Sequence, residues 1–468
     1  MNLMWFRNDL RVHDNLALTQ AMSNGPCKAI FMSTSAQWEK HDVGAIKIAF
    51  IEAHINELSD SLAQLGVRLD VIETEDFNGQ ISTLSSYCQE HSINQIFANS
   101  EPELNEVNRD RKVQQGDISF NLYESDVIVA KGTVRALHGE MFKVFTPFKK
   151  AWLKQASFQQ YVPYSLPSVV SKPLSNKALV ASFTNNQQAK DIVKKWPLAS
   201  QVREQQLARF FEDKHDAYHD VRDFPAQKGT SGLSAYLAIG AISVNEVMAQ
   251  LLQHSPLIFN DMKANAFAWL NELVWRDFYR HLQYHFPQLA KGECFQPRYQ
   301  HLPWHNNQDN FDAWCTGNTG YPLVDAAMRQ LNTTGWMHNR LRMVVASFLT
   351  KHLLIDWHWG ERYFMQQLID GDYSANNGGW QWAASTGCDA QPYFRVFNPI
   401  RQSERFDPDG EFIRMYLPEL ENVPLKSLHF PHKYLDDHKL TGVYCKPLVD
   451  HKAARLRALA FYKDNVDP

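Results

Sequence analysis

Ile369-Asp370-Gly371-Asp372-Tyr373-Ser374-Ala375-Asn376-Asn377-Gly378-Gly379-Trp380-Gln381-Trp382-Ala383-Ala384-Ser385-Thr386-Gly387 is the stretch from which the architecture of this chain unfolds. Two carboxylates flank a glycine, two amides sit side by side, and two indoles follow a glycine pair. Indoles two residues apart cannot share one face of a helix. Carboxylates and amides in this density suit the edges of a planar, polar-edged aromatic ligand, and indoles suit its faces. A single Trp is most simply core packing. A buried turn built from the whole segment would strand many polar groups without purpose.

Two further stretches repeat the pattern. Trp269, Glu272, Trp275, Arg276 and Tyr279 fall on one face of a helix, with Leu270, Leu273 and Val274 as the core stripe behind them. Trp336, Asn339, Arg340 and Met343 do the same, backed by Leu341, Val344 and Val345. Solvated helix faces favour Lys and Glu. Two faces of this kind imply a polar, aromatic-lined cavity between helices. Of 13 Trp in the chain, nine lie between Trp269 and Trp382, so the aromatic chemistry belongs to the C-terminal half. A third stretch, Gly229-Thr230-Ser231-Gly232-Leu233-Ser234, precedes the apolar run Ala235–Ile239. Small hydroxyl residues at a helix start leave N–H groups and a positive dipole end that suit a phosphate. An ordinary N-cap looks the same. Tyr218 and Arg222 sit upstream.

The N-terminal part has a different rhythm. Leu3–Phe6, Ala29–Met32, 67–72, 95–98 and 119–123 read as strands. Between them Asn15–Met22, 46–65, 81–91 and 103–113 read as helices. Such alternation predicts a doubly wound parallel sheet. No G-x-G-x-x-G follows the first strand, so a nicotinamide fingerprint is missing. Residues 131–200 read as a connector containing Pro163, Pro167 and Pro173, with one helical patch near 147–155. From 201 onward helical stripes dominate: 201–219, 243–253, 263–285, 309–315, 322–332, 338–354, 359–369 and 449–463. The expected division is an α/β domain over 1–130, the connector, and a large α-helical domain over 201–468.

Composition narrows the function classes. The chain has 468 residues, 44% hydrophobic and 21% charged, with a formal net charge of −4. No global basic excess advertises nucleic acid, so any DNA contact must come from a local patch. Six Cys show no C-x-x-C pair and no zinc spacing, which predicts free thiols, no metal site and a reducing cytoplasm. No signal peptide and no membrane span are read.

Several motifs together resemble the photolyase/cryptochrome family nearly end to end, nearest to bacterial class I cyclobutane pyrimidine dimer photolyases. They are Trp5-Phe6-Arg7-Asn8-Asp9-Leu10-Arg11 with His13-Asp14-Asn15, Phe145-Thr146-Pro147-Phe148, Trp269–Arg276, Gly320-Tyr321-Pro322 with Asp325–Arg329, Gly335–Arg340 and Asn376–Trp382. The resemblance implies light-driven splitting of pyrimidine dimers in DNA by an electron from reduced FAD. It assigns FAD to Tyr218, Thr230, Ser231, Gly232, Leu233, Ser234, Trp269, Glu272, Arg276, Asn339, Asp370, Gly371, Asp372 and Asn376. Asn376 would face flavin N5. Trp380, Trp357 and Trp304 would form an electron chain; without the resemblance, plain packing is the preferred reading of Trp357 and Trp304. Glu272, Asn339, Met343 and Asn376 would be catalytic, and Trp275 and Trp382 would stack on a flipped-out dimer. Arg222, Arg276, Tyr279, Asn339, Arg340 and Arg395 complete the DNA set. Members acting on (6-4) lesions are expected to carry histidines where this chain has Asn339 and Met343. Gly232 stands where some members have a basic residue, which leaves one FAD phosphate contact to the backbone. His41, Asn105, Glu106 and Lys291 align with a folate antenna site, so 5,10-methenyltetrahydrofolate is expected, with a deazaflavin or an empty site as alternatives. A monomer is expected. The rival readings are a blue-light receptor without repair and an unrelated flavoprotein oxidoreductase.

Overall fold

The computed structural model describes residues 1–168, 174 and 181–466. Pro173 of the connector lies outside them. The chain packs as two compact units. One comprises Met1–Asp216, Ser231–Ala290 and Ile369–Ser374; the other comprises Ala217–Thr230, Lys291–Leu368 and Ala375–Pro468.

The first unit is built on a five-stranded parallel sheet with strand order β3-β2-β1-β4-β5. The strands are β1 Asn2–Phe6, β2 Cys27–Thr34, β3 Leu69–Thr74, β4 Gln95–Asn99 and β5 Ser119–Tyr123. All five residues of β1 are buried, as a central strand covered on both faces requires. The helices Leu16–Ser23, Ala45–Gln64, Phe77–Glu90 and Leu104–Gln114 supply the crossovers. Asn15 caps the first, its Oδ1 accepting from Leu18 N at 3.1 Å, and Asp76 caps the third through Gly79 N at 2.9 Å. Every strand and crossover helix read from the sequence is present. A short helix, Ser35–Lys40, is additional, because six residues show too little periodicity to be read.

The carboxyl ends of β1 and β4 are where open parallel sheets gather ligands. Here that crevice is filled by charged side chains. Arg7 Nη1 donates to both Asp110 oxygens at 2.7 and 2.8 Å, and Arg109 Nη2 donates to Glu101 at 2.7 Å and Asp110 at 2.8 Å. The two guanidinium groups lie 4.9 and 4.7 Å from the Trp5 ring centroid. A water-sized space remains, lined in part by Asn8, Asp9, Arg11, Asn99 and Arg276. Residues 231–290 join this unit at Gly240, whose φ of +61° and contact with the Asn8 carbonyl leave no room for a Cβ.

The second unit is helical around a core that includes Trp314, Leu341, Val344, Val345, Trp357 and Trp380. Its helices include Pro322–Thr334, Asn339–Ser347, Trp357–Gln367, Tyr373–Ala384 and His451–Val466. The helix expected over 338–354 changes pitch at Phe348–His352, where Leu353 N reaches Phe348 O at 3.1 Å, a five-residue step. The stripe over 201–219 is likewise broken into short α and wider turns. The Tyr373–Ala384 helix carries Gly378 and Gly379 in its middle, which hides it from a propensity reading. The short helices between Pro399 and Asp437 lie in stretches too brief for a periodic signal.

Breaking the buried ion network tests its weight. Asp110→Ala removes the carboxylate shared by two buried guanidinium groups, leaving Glu101 alone to balance both, and is expected to lower unfolding free energy by about 3–5 kcal/mol in denaturant titration. A loss below about 1 kcal/mol, the scale of an exposed pair, would contradict that role.

Candidate functional site

The helix Phe267–His285 carries most of the first unit's site residues. Trp269 is 3% exposed and packs against Phe210, Phe211 and His215, with ring centroids 5.1, 5.3 and 6.1 Å away. Trp275 is half-buried and lies flat on Phe145, at 3.5 Å and 2° between planes; Tyr279 lies 5.8 Å from it. Phe145 therefore fixes the plane of the indole.

Arg276 and Arg280, one turn apart, both grip Asp126, each with one N–O distance of 2.5 Å. Arg280 also binds Asp372. Burial alone would raise the Asp126 carboxyl, but the two guanidinium groups override it and hold it below the usual carboxylate range. Lys47 Nζ donates to Gly371 O at 2.6 Å, and Tyr373 OH donates to Leu289 O at 3.1 Å. The 370–372 carboxylate segment is thus tied down from several sides. Arg276, read from the sequence as a ligand-facing residue, spends hydrogen bonds on Asp126. Glu272 is half-buried on the same helix.

In the second unit, Asn376 Nδ2 donates to Glu361 O at 2.9 Å, and Asn377 Nδ2 donates to Glu361 Oε1 at 2.8 Å. A backbone carbonyl can only accept, so the Asn376 nitrogen must face it. Oδ1 is then the atom Asn376 presents to a ligand. Gly360 makes room for Trp380, whose six-membered ring occupies the position a Cβ would take.

Trp380 is 2% exposed and Trp357 1%, whereas Trp304 is half-buried beside Phe461 and Tyr462. Trp357 stacks on His358 at 3.7 Å. The indole in ring contact with Trp380 is Trp314, at 6.1 Å. Sequence reading missed Trp314, which belongs to no motif; only its clustering with the other Trp residues could have flagged it.

Asn339 opens the helix Asn339–Ser347 and is exposed. His338 caps that helix, its Nδ1 accepting from Arg340 N at 3.2 Å. Burial pushes the His338 imidazole down to about 4, which keeps it a neutral acceptor. Arg340 binds Asp223 at 2.9 Å, lies over Phe406 at 4.4 Å and reaches Met343 Sδ at 3.8 Å. Arg222 lies 5.9 Å from the Tyr218 ring. Trp382 is half-buried, and Arg395 is exposed.

Three of the four residues aligned with the antenna meet. Asn105 Nδ2 and His41 Nε2 lie 3.0 Å apart, and His41 Nδ1 lies 3.7 Å from Glu106. Lys291 is exposed at the end of a short turn in the second unit. Oε2 of Glu106 and of the neighbouring Glu103 are buried with no hydrogen-bond partner. Burial, reinforced by the Glu101 charge, pushes Glu106 up to about 7. Glu103, raised well above the usual range by burial and Glu106, was not identified from sequence.

Features within each unit, taken separately, suit a flavin dinucleotide. Asn271 Oδ1 and Trp380 Nε1 are buried polar atoms without a partner, which native interiors rarely tolerate. Gly232, at φ +70°, has open space where a Cβ would point, so backbone can approach a phosphate closely. Among the described residues no cluster of His, Cys, Asp or Glu suits a metal, and no helix is long and apolar enough to cross a membrane.

Glu106 carries a pH signature. Burial pushes its folded carboxyl up to about 7, above the ordinary value of about 4.5, so the unfolded chain releases the proton first as pH rises. Stability is therefore expected to be full below about 4.5 and to fall as pH rises towards about 7. Thermal melts of Glu106→Gln should show a shallower decline, since Glu103 is raised by the same burial; a variant that declines like the wild type would remove Glu106 as a source.

Comparison with known proteins agrees with this geometry. The family model "DNA photolyase" matches residues 2–168, and "FAD binding domain of DNA photolyase" matches residues 269–464. The deoxyribodipyrimidine photo-lyase of Salmonella typhimurium is 46% identical over 99% of this chain and 98% of its own length. That of Escherichia coli is 44% identical over 99% and 98%. A class III photolyase from Agrobacterium tumefaciens superposes with a TM-score of 0.86 at 32% identity, covering 100% of this chain and 98% of the other. A Synechocystis cryptochrome superposes with 0.84 at 25%, covering 98% and 99%. With both family models matched and full-length relatives 44–46% identical, the chain belongs to the photolyase family, in its class I cyclobutane pyrimidine dimer branch.

Proposed function

We infer that this chain is a light-driven lyase that splits cyclobutane pyrimidine dimers in DNA with FAD as its cofactor. Full-length relatives carrying the photo-lyase name support the reading. The observation that carries it is Asn376. Its nitrogen is spent on the Glu361 carbonyl, so a fixed, uncharged acceptor remains for an N–H at the edge of a ligand. Such an acceptor suits the reduced ring without adding charge. When bound, reduced FAD would supply the light absorption and the one-electron chemistry of the reaction.

The chain's own residues bind, orient and relay. FAD is assigned to Tyr218, Thr230 to Ser234, Trp269, Glu272, Arg276, Asn339, Asp370 to Asp372 and Asn376. Arg280 and Lys47 support the 370–372 segment from behind. Trp275 and Trp382 are assigned to the faces of an extruded dimer. Stacking contributes about 1–3 kcal/mol per base, and extrusion costs a few kcal/mol, least for a damaged pair. Glu272 and Asn339 are assigned to the thymine edges and Met343 to packing against them. Arg222, Arg276, Tyr279, Arg340 and Arg395 are assigned to flanking DNA; phosphate contacts of this kind position the duplex and do not specify it. The relay is assigned to Trp380, Trp357 and Trp304, the first two buried and the last half-buried.

The antenna is assigned to His41, Asn105, Glu106 and Lys291, with 5,10-methenyltetrahydrofolate as its occupant. The deep crevice of the sheet is filled by Arg7, Arg109, Glu101 and Asp110, which favours a rim site over a deep one. The unpartnered Glu106 oxygen suits the donor edge of a pterin. The functional division follows composition: an antenna-binding part over 1–130, a connector over 131–200 and an FAD- and DNA-binding part over 201–468. The protein works as a cytoplasmic monomer.

The reading is tested with purified, reduced protein and a dimer-containing oligonucleotide. Dimers should disappear under blue light and persist in the dark; persistence in both would overturn it. Glu272→Ala should lower the repair yield per photon about tenfold or more while DNA affinity changes less, since only the first reports a contact that strengthens during reaction. An unchanged yield would remove Glu272 from the catalytic set. Trp304→Phe should slow photoreduction of oxidised flavin at least tenfold and leave repair by pre-reduced protein intact. Equal loss of both activities would contradict the relay.

A further inference from the structure

Lys351 is a lysine with no exposed surface, in the wide helical turn Phe348–His352 of the second unit. Its Nζ donates to Ser385 Oγ at 3.0 Å and to Arg395 O at 3.1 Å. No carboxylate forms a salt bridge with it among the described residues. A buried ammonium without a counter-ion is costly, and such lysines tend to do a specific job.

The two acceptors mark the ends of the segment 385–395, buried at Ser385 and exposed at Phe394 and Arg395. Ser385 follows the helix that carries Asn376, Trp380 and Trp382, and it takes a left-handed backbone with φ +69°. Arg395 closes a turn, its N–H donating to Pro392 O at 2.9 Å. Between these points the chain exposes Phe394 at 61%, next to the exposed Arg395. Beneath them Lys351 is the strut.

We propose that Lys351 is a positioning residue for DNA binding, tying the end of the Trp382 helix to the Arg395 turn and taking up a proton when a phosphate backbone settles on that turn. This rests on the assignment of Trp382 and Arg395 to DNA made above.

The electrostatics around Nζ support the proton step. The Arg395 guanidinium, on the residue whose carbonyl Lys351 holds, is the charge that acts on Nζ. Tyr462, on the helix His451–Val466, places its ring 6.0 Å away; burial holds its phenol well above the usual range, and it donates to Ala384 O at 2.8 Å, so it stays neutral. His352, the next residue in the same turn, pairs with His451 at 2.9 Å. Burial pushes His352 down to about 3 and also lowers His451, so both are neutral near pH 7. Burial, with the Arg395 charge, pushes Lys351 down to about 7. A phosphate at Arg395 offsets that guanidinium and favours the charged lysine.

The sign follows by linkage. Below the free-state value Lys351 is charged with or without DNA, and affinity is at its maximum. As pH rises through that value, free protein loses the proton and must regain it to bind, so affinity falls until the bound form also loses it. The dissociation constant should rise about tenfold for each unit by which DNA raises the lysine pKa.

Calorimetric titration of the full protein with a dimer-containing duplex decides it, run from about pH 6 to about pH 9 in two buffers of different ionisation heat. Wild type is expected to take up a fraction of a proton near neutral pH and to weaken as pH rises. Lys351→Met should bind with no uptake and no pH step. Lys351→Arg, charged at every pH, should keep tight binding, also without uptake, and serves if the methionine variant does not fold. Normal binding by the wild type with no uptake would overturn the proposal, as would the same uptake in either variant. A wild type that binds no dimer DNA at all would overturn the DNA assignment, and this proposal with it.

Discussion

A single guanidinium organises the part of the molecule on which the site residues stand. Arg280 is 3% exposed and is held between Asp126 and Asp372, which lie 154 residues before it and 92 after it. Its planar fork of N–H groups can satisfy two carboxylates at once, which a lysine cannot do with the same geometry. Removing one partner from such a pair costs about 3–5 kcal/mol because the other charge is left buried. The nearby Asp277, one turn before Arg280 on the same helix, accepts from Ile128 N, Val129 N and Trp152 Nε1. Burial raises that carboxyl to about 6. One helix therefore fixes residues 126–129, the helix Phe145–Ala156 and the 370–372 segment together.

The same economy governs the indoles. Trp380 is seated because Gly360 has no side chain to exclude it, and its N–H has no base to take its proton. Exposure rises from Trp380 and Trp357 to Trp304. The Asn376 amide is oriented by a backbone carbonyl, so its geometry is set by the fold before any ligand arrives. Preorganisation of this kind favours a narrow range of electron-transfer distances.

Much of this was legible in the residues. The alternation of apolar runs gave all five strands and their order of appearance, because a buried parallel strand is a short apolar block and its crossover helix is long and periodic. The identity of the site came from dense motifs, and Asn376, Glu272 and Trp380 stand on the elements those motifs form. What stayed hidden was the partnering of charges. Arg276 and Arg340 look from sequence like arms for a ligand or phosphate, yet Asp126 and Asp223, more than a hundred residues away, engage them. Glu103, Lys351 and Trp314 belong to no motif, since burial and not spacing makes them unusual. The wide turn at Phe348–His352 also left no trace, because one extra residue per turn does not change composition.

The central claim is that light absorbed by this protein's own cofactors opens dimers held by its own side chains. Its most direct test is the action spectrum of dimer splitting: the rate per incident photon, measured across the near-ultraviolet and blue. A curve that follows the absorption of the bound reduced flavin, with an added near-ultraviolet band if the Glu106 site is filled, is the predicted result. Splitting that is independent of wavelength, or that proceeds in the dark, would contradict the account.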